Sequence, residues 1–386
     1  MKRISKLLWG IGLCASAAYA DESTTPAPAA FNAQVEASQA FSYDTNPLRL
    51  LRNNKSLSGS DTTATLILND STPRSQFSLS SEVDQGFYDN SVFNSTNFHE
   101  KANAATKTLN WAAHISGKLD YDTTRTSEIT TFGINIPSVR HLGLNASPGL
   151  DYMPSPDDKI SLNSSVTQST YDNNAFTDYD FYSIAPTYTH HFDPLNTGIF
   201  IVNAQRYATK SGLSNTIDTA GPSVGWLRLI NPNFTARVTA GAEHSTQDTA
   251  GLPSSSRWNY VFSGDMGYKG RSDKANLYVS REQQPFGNGS AALFTTFRIS
   301  DTHAINENLS AAASASYRYA EYLNNLGVNL DSEVAGSASL AYRVLRNTDV
   351  SANYRYIRQT LTNVTGTVQE HIVLVGVTYH PDPWGL

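Results

Sequence analysis

The sequence predicts an all-β fold: a transmembrane antiparallel up-and-down β-barrel of about 18 strands, with 16 as the alternative. Three observations carry that prediction. Segments of ~10–13 residues alternate apolar and polar side chains and recur roughly every 20 residues. The connections between them alternate between short turns and longer polar loops. After the first 20 residues, no apolar run is long enough to form a membrane helix, and no helical periodicity is sustained.

Alternation matters because successive side chains of a strand point to opposite faces. A barrel in lipid needs one apolar face and one wet face. From Leu309 the apolar set is Leu309, Ala311, Ala313, Ala315, Tyr317 and Tyr319, against Ser310, Ala312, Ser314, Ser316 and Arg318. From Phe234 it is Phe234, Ala236, Val238, Ala240 and Ala242, against Thr235, Arg237, Thr239, Gly241 and Glu243. From Trp258 it is Trp258, Tyr260, Phe262, Gly264, Met266 and Tyr268, against Asn259, Ser263, Asp265 and Lys269.

In order, the pattern predicts strands at 32–43, 61–69, 74–87, 97–109, 113–124, 139–152, 159–171, 178–190, 197–208, 215–228, 233–245, 256–269, 273–282, 290–303, 307–319, 330–343, 348–359 and 369–380. His99, Glu100, Lys101 and Lys107 dilute the alternation in 97–109, and losing that strand and its neighbour gives the 16-strand alternative. Short connections such as 69–73, 153–158, 191–196, 270–272 and 344–347 mostly hold Pro, Gly, Asn or Asp, as tight turns require. Longer ones include 44–60, 124–138 and 246–255. An even strand count places both termini at the short-turn, periplasmic end. Tyr152, Tyr188, Trp226, Trp258, Tyr268, Tyr342 and Tyr379 fall near strand ends, where aromatic girdles sit at the two interfaces.

The ends of the chain read differently. Lys2, Arg3 and Lys6, the apolar stretch from Leu7 to Leu13, and Ala18-Tyr19-Ala20 together predict a cleaved signal peptide over 1–20. A short periplasmic segment over 21–31, the barrel over 32–380 and a periplasmic tail over 381–386 complete the expected organisation. Proline cannot donate to a ladder, so Pro381 should end the last strand near His380. Cys14 is the only cysteine, so the mature chain offers no disulfide, thiolate ligand or thiol nucleophile. With a formal charge of -6, the chain shows no basic bias of the kind a nucleic-acid partner requires.

Phe41-Ser42-Tyr43-Asp44-Thr45-Asn46-Pro47, closing the first strand, resembles the opening motif of the outer-membrane β-barrel porin family, a group similar to barrels associated with exopolysaccharide export systems. Leu144-Asn145-Ala146-Ser147-Pro148-Gly149-Leu150-Asp151-Tyr152, a Pro/Asp turn and Ile160-Ser161-Leu162-Asn163-Ser164-Ser165-Val166 match it in style. The resemblance is one of rhythm and runs along nearly the whole mature chain. It implies a barrel in the outer membrane of a Gram-negative envelope, porin-like passage of hydrophilic solutes or saccharides, and no cofactor. Outer-membrane lipid and the outer-membrane assembly machinery are the implied partners. An exopolysaccharide secretion channel would add a glycan cargo and a periplasmic partner. A structural or adhesive barrel without an open pore is the competing class.

The candidate lumen-facing residues are Lys118, Asp120, Arg237, Glu243, Asp265, Arg318, Glu333, Arg343 and Arg355. Both signs are present, which predicts weak charge selectivity unless the signs segregate by height. Tyr207 and Tyr278 are candidates for stacking on sugar rings, and the loops 124–138 and 44–60 are candidate constrictions. Catalysis is not expected. The adjacent acid–base pairs His99-Glu100, Glu243-His244 and Glu370-His371 point to opposite faces of their strands, and no metal-ligand spacing stands out among the nine His.

Overall fold

The computed structural model describes residues 30–52, 54–127, 138–173, 176–211, 214–285, 291–322, 330–363 and 365–385. The expected signal peptide and nearly all of 21–31 lie outside these residues. The wall strands are β1 (Ala30–Asp44), β2 (Leu57–Ser71), β3 (Ser75–Tyr88), β4 (Ser95–Lys107), β5 (Trp111–Thr123), β6 (Arg140–Tyr152), β7 (Asp158–Tyr171), β8 (Tyr179–Asp193) and β9 (Asn196–Thr209). They continue as β10 (Asn215–Asn231), β11 (Phe234–Thr249), β12 (Ser255–Lys269), β13 (Asp273–Pro285), β14 (Ala291–Ala304), β15 (Leu309–Tyr322), β16 (Leu330–Leu345), β17 (Thr348–Leu361) and β18 (Thr367–Tyr379). A two-residue strand, β19 (Trp384–Gly385), follows.

Each of the 18 wall strands pairs antiparallel with its sequence neighbours in the wall, and β1 pairs with β18, so the sheet closes on itself. Every expected strand has its counterpart. The diluted segment 97–109 is β4, paired with β3 and β5 along its length.

Through the middle of the wall the register sorts side chains by face. On the outer face, Tyr188 pairs with Phe200, Trp226 with Val238, and Phe297 with Tyr317, all of them exposed apolar side chains. At the short-turn end, Trp111 stacks on Tyr152 with centroids 4.3 Å apart, and Phe192 stacks on Trp226 at 5.1 Å. Phe41, Phe87, Trp258 and Tyr260 form the opposing aromatic band toward the long-loop end. Two such bands suit an apolar ring with a polar edge at each interface of a bilayer.

Glu100 breaks the pattern. It lies on the outer face opposite Leu119 and Ser81, and Ser81 Oγ donates to its Oε1 at 3.5 Å.

Three prolines sit in mid-strand on the outer face, and each acts the same way. Pro148 keeps its pairing with Ile115 of the preceding strand, but the β6–β7 register skips it, running from Ala146↔Val166 to Gly149↔Asn163. Pro186 keeps Leu162 while the β8–β9 register skips from Ile184↔Ala204 to Thr187↔Ile201. Pro222 keeps Val202 while β10–β11 skips from Ala220↔His244 to Ser223↔Gly241. The missing N–H falls on the side of the following strand, so one rung is lost and the other neighbour is unaffected. At the third site the backbones also come close: a Cβ on Gly221 would lie 1.9 Å from the carbonyl oxygen of Ala242.

The closing seam has two parts. β1 pairs with β18 from Ala37↔Tyr379 to Asp44↔Ile372. The strand ends at Tyr379, just ahead of Pro381. The chain then turns through Pro381-Asp382-Pro383, and β19 pairs Gly385 with Asn32 and Trp384 with Ala33. Residues 384–385 therefore extend the seam toward the short-turn end.

Candidate functional site: the inner face and its constriction

The β5 strand sets Lys118 and Asp120 on the inner face beside His99 of β4. Asp120 bridges them, with Oδ1 2.7 Å from His99 Nδ1 and Oδ2 2.5 Å from Lys118 Nζ. With Ser80, Glu82, Lys101 and Asp122 they line a polar recess of about 400 Å³. Nearer the short-turn end, Arg237 lies opposite Asp265, whose Oδ2 accepts from Asn276 Nδ2 at 2.6 Å. Arg343 Nε is 3.4 Å from Asp349 Oδ1. Arg355, opposite Ser337 and Ile372, and Arg237 have no ion pair within 4.0 Å among the described residues. Glu243 is buried and accepts from Asn203 Nδ2 at 2.9 Å. All nine candidates share the face opposite the apolar bands, but they do not form one cluster.

Two inward-folded elements dominate the long-loop end. The first is the β1–β2 loop, one of the two expected constrictions. Asn46 Oδ1 accepts from the Leu50 amide at 2.9 Å, and its Nδ2 donates to the carbonyls of Leu50 and Gln369, closing a compact turn against β18. That turn delivers Arg49 to the inner wall, where it is 3% exposed. Arg49 Nε donates to Glu370 Oε2 at 2.8 Å, and Nη1 lies 3.7 Å from Glu333 Oε2. Gln359 Nε2 donates to the same Glu333 oxygen at 2.6 Å. Arg49 has φ 51°, a left-handed conformation that costs a non-glycine residue energy. The ion pairs and the Asn46 turn hold it there. Of the other expected constriction, residues 128–137 lie outside the described residues.

The second element is unexpected. β13 pairs with β12 only from Lys269↔Lys274 to Phe262↔Arg281, although β12 continues to Ser255 and β13 to Pro285. Beyond Arg281, β13 leaves the wall and crosses inside. Gln283, whose parity marks it as outward, has its Oε1 2.8 Å from Thr219 Oγ1 and 3.2 Å from Ser245 Oγ, both on the inner face of β10–β11. The ends of β14 and β15 follow it. Phe294, fully buried, joins Ala291, Ala292 and Ala320 in an apolar cluster with Tyr179, Tyr207, Ile217 and Leu330. Arg318 lies over the Phe294 ring at 3.9 Å, and its Nη2 donates to Gln284 Oε1 at 2.6 Å. Apolar contact drives this packing: a buried Phe contributes about 1.5–3 kcal/mol.

Tyr207 is therefore not a sugar platform. It is 2% exposed and packs against Tyr179, with centroids 5.2 Å apart. Arg49 and the inward β13–β15 ends escaped the sequence reading, and Glu370 was weighed there only as half of an acid–base pair with His371. A signal existed for the last: Arg281, Gln283 and Glu321 are polar at outward positions, which lipid would penalise.

A closed antiparallel wall, an apolar outer belt between aromatic bands and a charged inner face define a porin-like β-barrel of the outer-membrane type. Residues 278–380 match the family described as "Putative beta-barrel porin 2", the kind of barrel the sequence resembles. No curated protein matches the chain. Among solved structures, the fold is similar to the FrpB iron transporter from Neisseria meningitidis (F5-1 variant), with a TM-score of 0.52 and 11% identity, covering 91% of this chain and 82% of that one. OccK11 (OpdR) of Pseudomonas aeruginosa is also similar, at 0.47 and 9% identity, covering 91% and 96%. So is the outer membrane channel DcaP of Acinetobacter baumannii, at 0.46 and 12% identity, covering 92% and 97%.

Proposed function

We propose that the barrel is a passive outer-membrane channel for small hydrophilic solutes, saccharides among them, narrowed at its long-loop end. The observation that carries this reading is the inner face. Ionisable and amide side chains run from Arg343 at the short-turn end to Asp120 and Glu333 near the long-loop end, a wall that water can wet. Neither sign of charge dominates, so selectivity between small cations and anions is weak. Two folded-in elements, the Arg49 loop and the β13–β15 ends, reduce the outer mouth and set the size limit.

Planar-bilayer recording of the refolded barrel tests the proposal. Discrete conductance steps, with a reversal potential close to zero in a potassium chloride gradient, are the expected result. A barrel that inserts and never conducts would leave only the structural or adhesive reading. Maltose-series sugars added on one side should reduce the current progressively with chain length if saccharides enter.

A further inference from the structure

Where β13 leaves the wall, the ladder on one side of β12 has no successor among the described residues from Ser255 to Val261. An unpaired strand edge leaves amides and carbonyls that need another partner. This opening is spanned by side chains. Arg281 of β13 is 7% exposed and donates from Nη1 to Thr295 Oγ1 at 2.9 Å and from Nη2 to Glu321 Oε2 at 2.6 Å. Arg257 of β12 donates from Nη1 to Glu321 Oε1 at 3.2 Å. Two guanidinium groups thus share one carboxylate, leaving a formal charge of +1 at a partly exposed seam. The Nε atoms of both Arg257 and Arg281 are buried and have no hydrogen-bond partner. A buried donor without an acceptor is expensive, more so when charged.

The surroundings point outward as well as inward. Arg281 lies against the Tyr260 ring at 4.4 Å, and Tyr260 and Trp258 are exposed on the outer face. Below them the outer wall continues as Phe262, Gly264 and Val279, where a Cβ on Gly264 would meet Val279 Cγ1 at 2.9 Å. A cationic seam thus opens directly above an apolar strip.

We propose that the β12–β13 seam binds the oxyanionic head of a membrane amphiphile, a phosphate or carboxylate, which approaches laterally from the lipid. The head accepts from the Nη hydrogens of Arg257 and Arg281 in competition with Glu321, and the chain lies along Phe262 and Val279. Guanidinium groups recognise such heads through paired, charge-assisted hydrogen bonds.

Native mass spectrometry of the full barrel in dodecyl maltoside, titrated with dodecyl phosphate, tests the site. The wild type should retain one dodecyl phosphate, and excess inorganic phosphate should not displace it. The variant carrying both Arg257→Gln and Arg281→Gln should bind at least about tenfold more weakly, the loss of one or two charge-assisted bonds. Glu321→Gln removes the competing carboxylate and should bind several-fold more tightly, a gain that mere loss of structure could not produce. Equal binding by wild type and the double variant overturns the proposal. Displacement by inorganic phosphate at comparable concentration also overturns it, because the site then serves a dissolved anion reached through the lumen.

Discussion

Arg49 and Glu370, 321 positions apart, meet on the inner wall through a 2.8 Å bond from Nε to Oε2 that pins the β1–β2 loop against the inner face at the long-loop end. The backbone strain at Arg49 and the second carboxylate of Glu333 mark this contact as a latch. Removing one member of a buried pair leaves the others uncompensated, at a cost of about 3–5 kcal/mol. The cost falls on the loop, because the wall is held by its own ladder. Arg49→Gln should therefore raise single-channel conductance by roughly a factor of two and shift the reversal potential toward cations, as Glu333 and Glu370 lose their counter-charge. Bilayer recording checks both. Unchanged conductance would place the loop clear of the current path.

The cluster around Phe294 holds the β13–β15 ends inside the barrel. Phe294→Ala removes its fully buried ring, a change worth about 3–5 kcal/mol in a packed core. Amide exchange should speed up over residues 291–294 while mid-wall strands such as β10 stay protected. Conductance should become noisier, with added higher levels. If exchange is unaltered, the cluster does not anchor these ends.

Glu100 occupies the outer face between Ser81 and Leu119. A carboxylate facing lipid is destabilising in a depth-dependent way. Glu100→Leu should raise the unfolding free energy in urea, measured in lipid vesicles, by about 1–2 kcal/mol. A loss of stability instead would show that the carboxylate is covered by protein in the membrane.

Topology follows from the loop lengths. An epitope inserted at 250–254, between β11 and β12, should be reached by antibody on intact cells, whereas one at 270–272, between β12 and β13, should be silent until the envelope is permeabilised. The reverse pattern would invert the barrel.

Much of the wall was legible because a period of two needs no knowledge of distant residues. Even the diluted β4 obeys it: His99, Lys101 and Lys107 fall on the inner face, so Glu100 is the one true exception among the charges that weakened the pattern. The charged candidates were placed on a common face for the same reason. What the pattern does not encode is whether a strand stays in the wall. Gln283 has outward parity wherever β13 runs, and only its contacts with Thr219 and Ser245 reveal that the strand has passed inside. Arg49 was hidden differently. It lies in a polar loop without periodicity, and its partner Glu370 comes from the far end of the chain. Tyr207 had the expected face, but its neighbours turned a platform into packing.

The seam between β1 and β18 has a consequence for how the molecule comes together. Adjacent strands join through local hairpins, whose closure costs little chain entropy. Pairing Ala37 with Tyr379 instead joins the two ends of the whole sheet, a contact that no local hairpin supplies. That closure comes in a single step, after the hairpins exist, and β19 adds the rungs nearest the chain ends. Assembly should end at this junction, and under force or denaturant the ring should part there first.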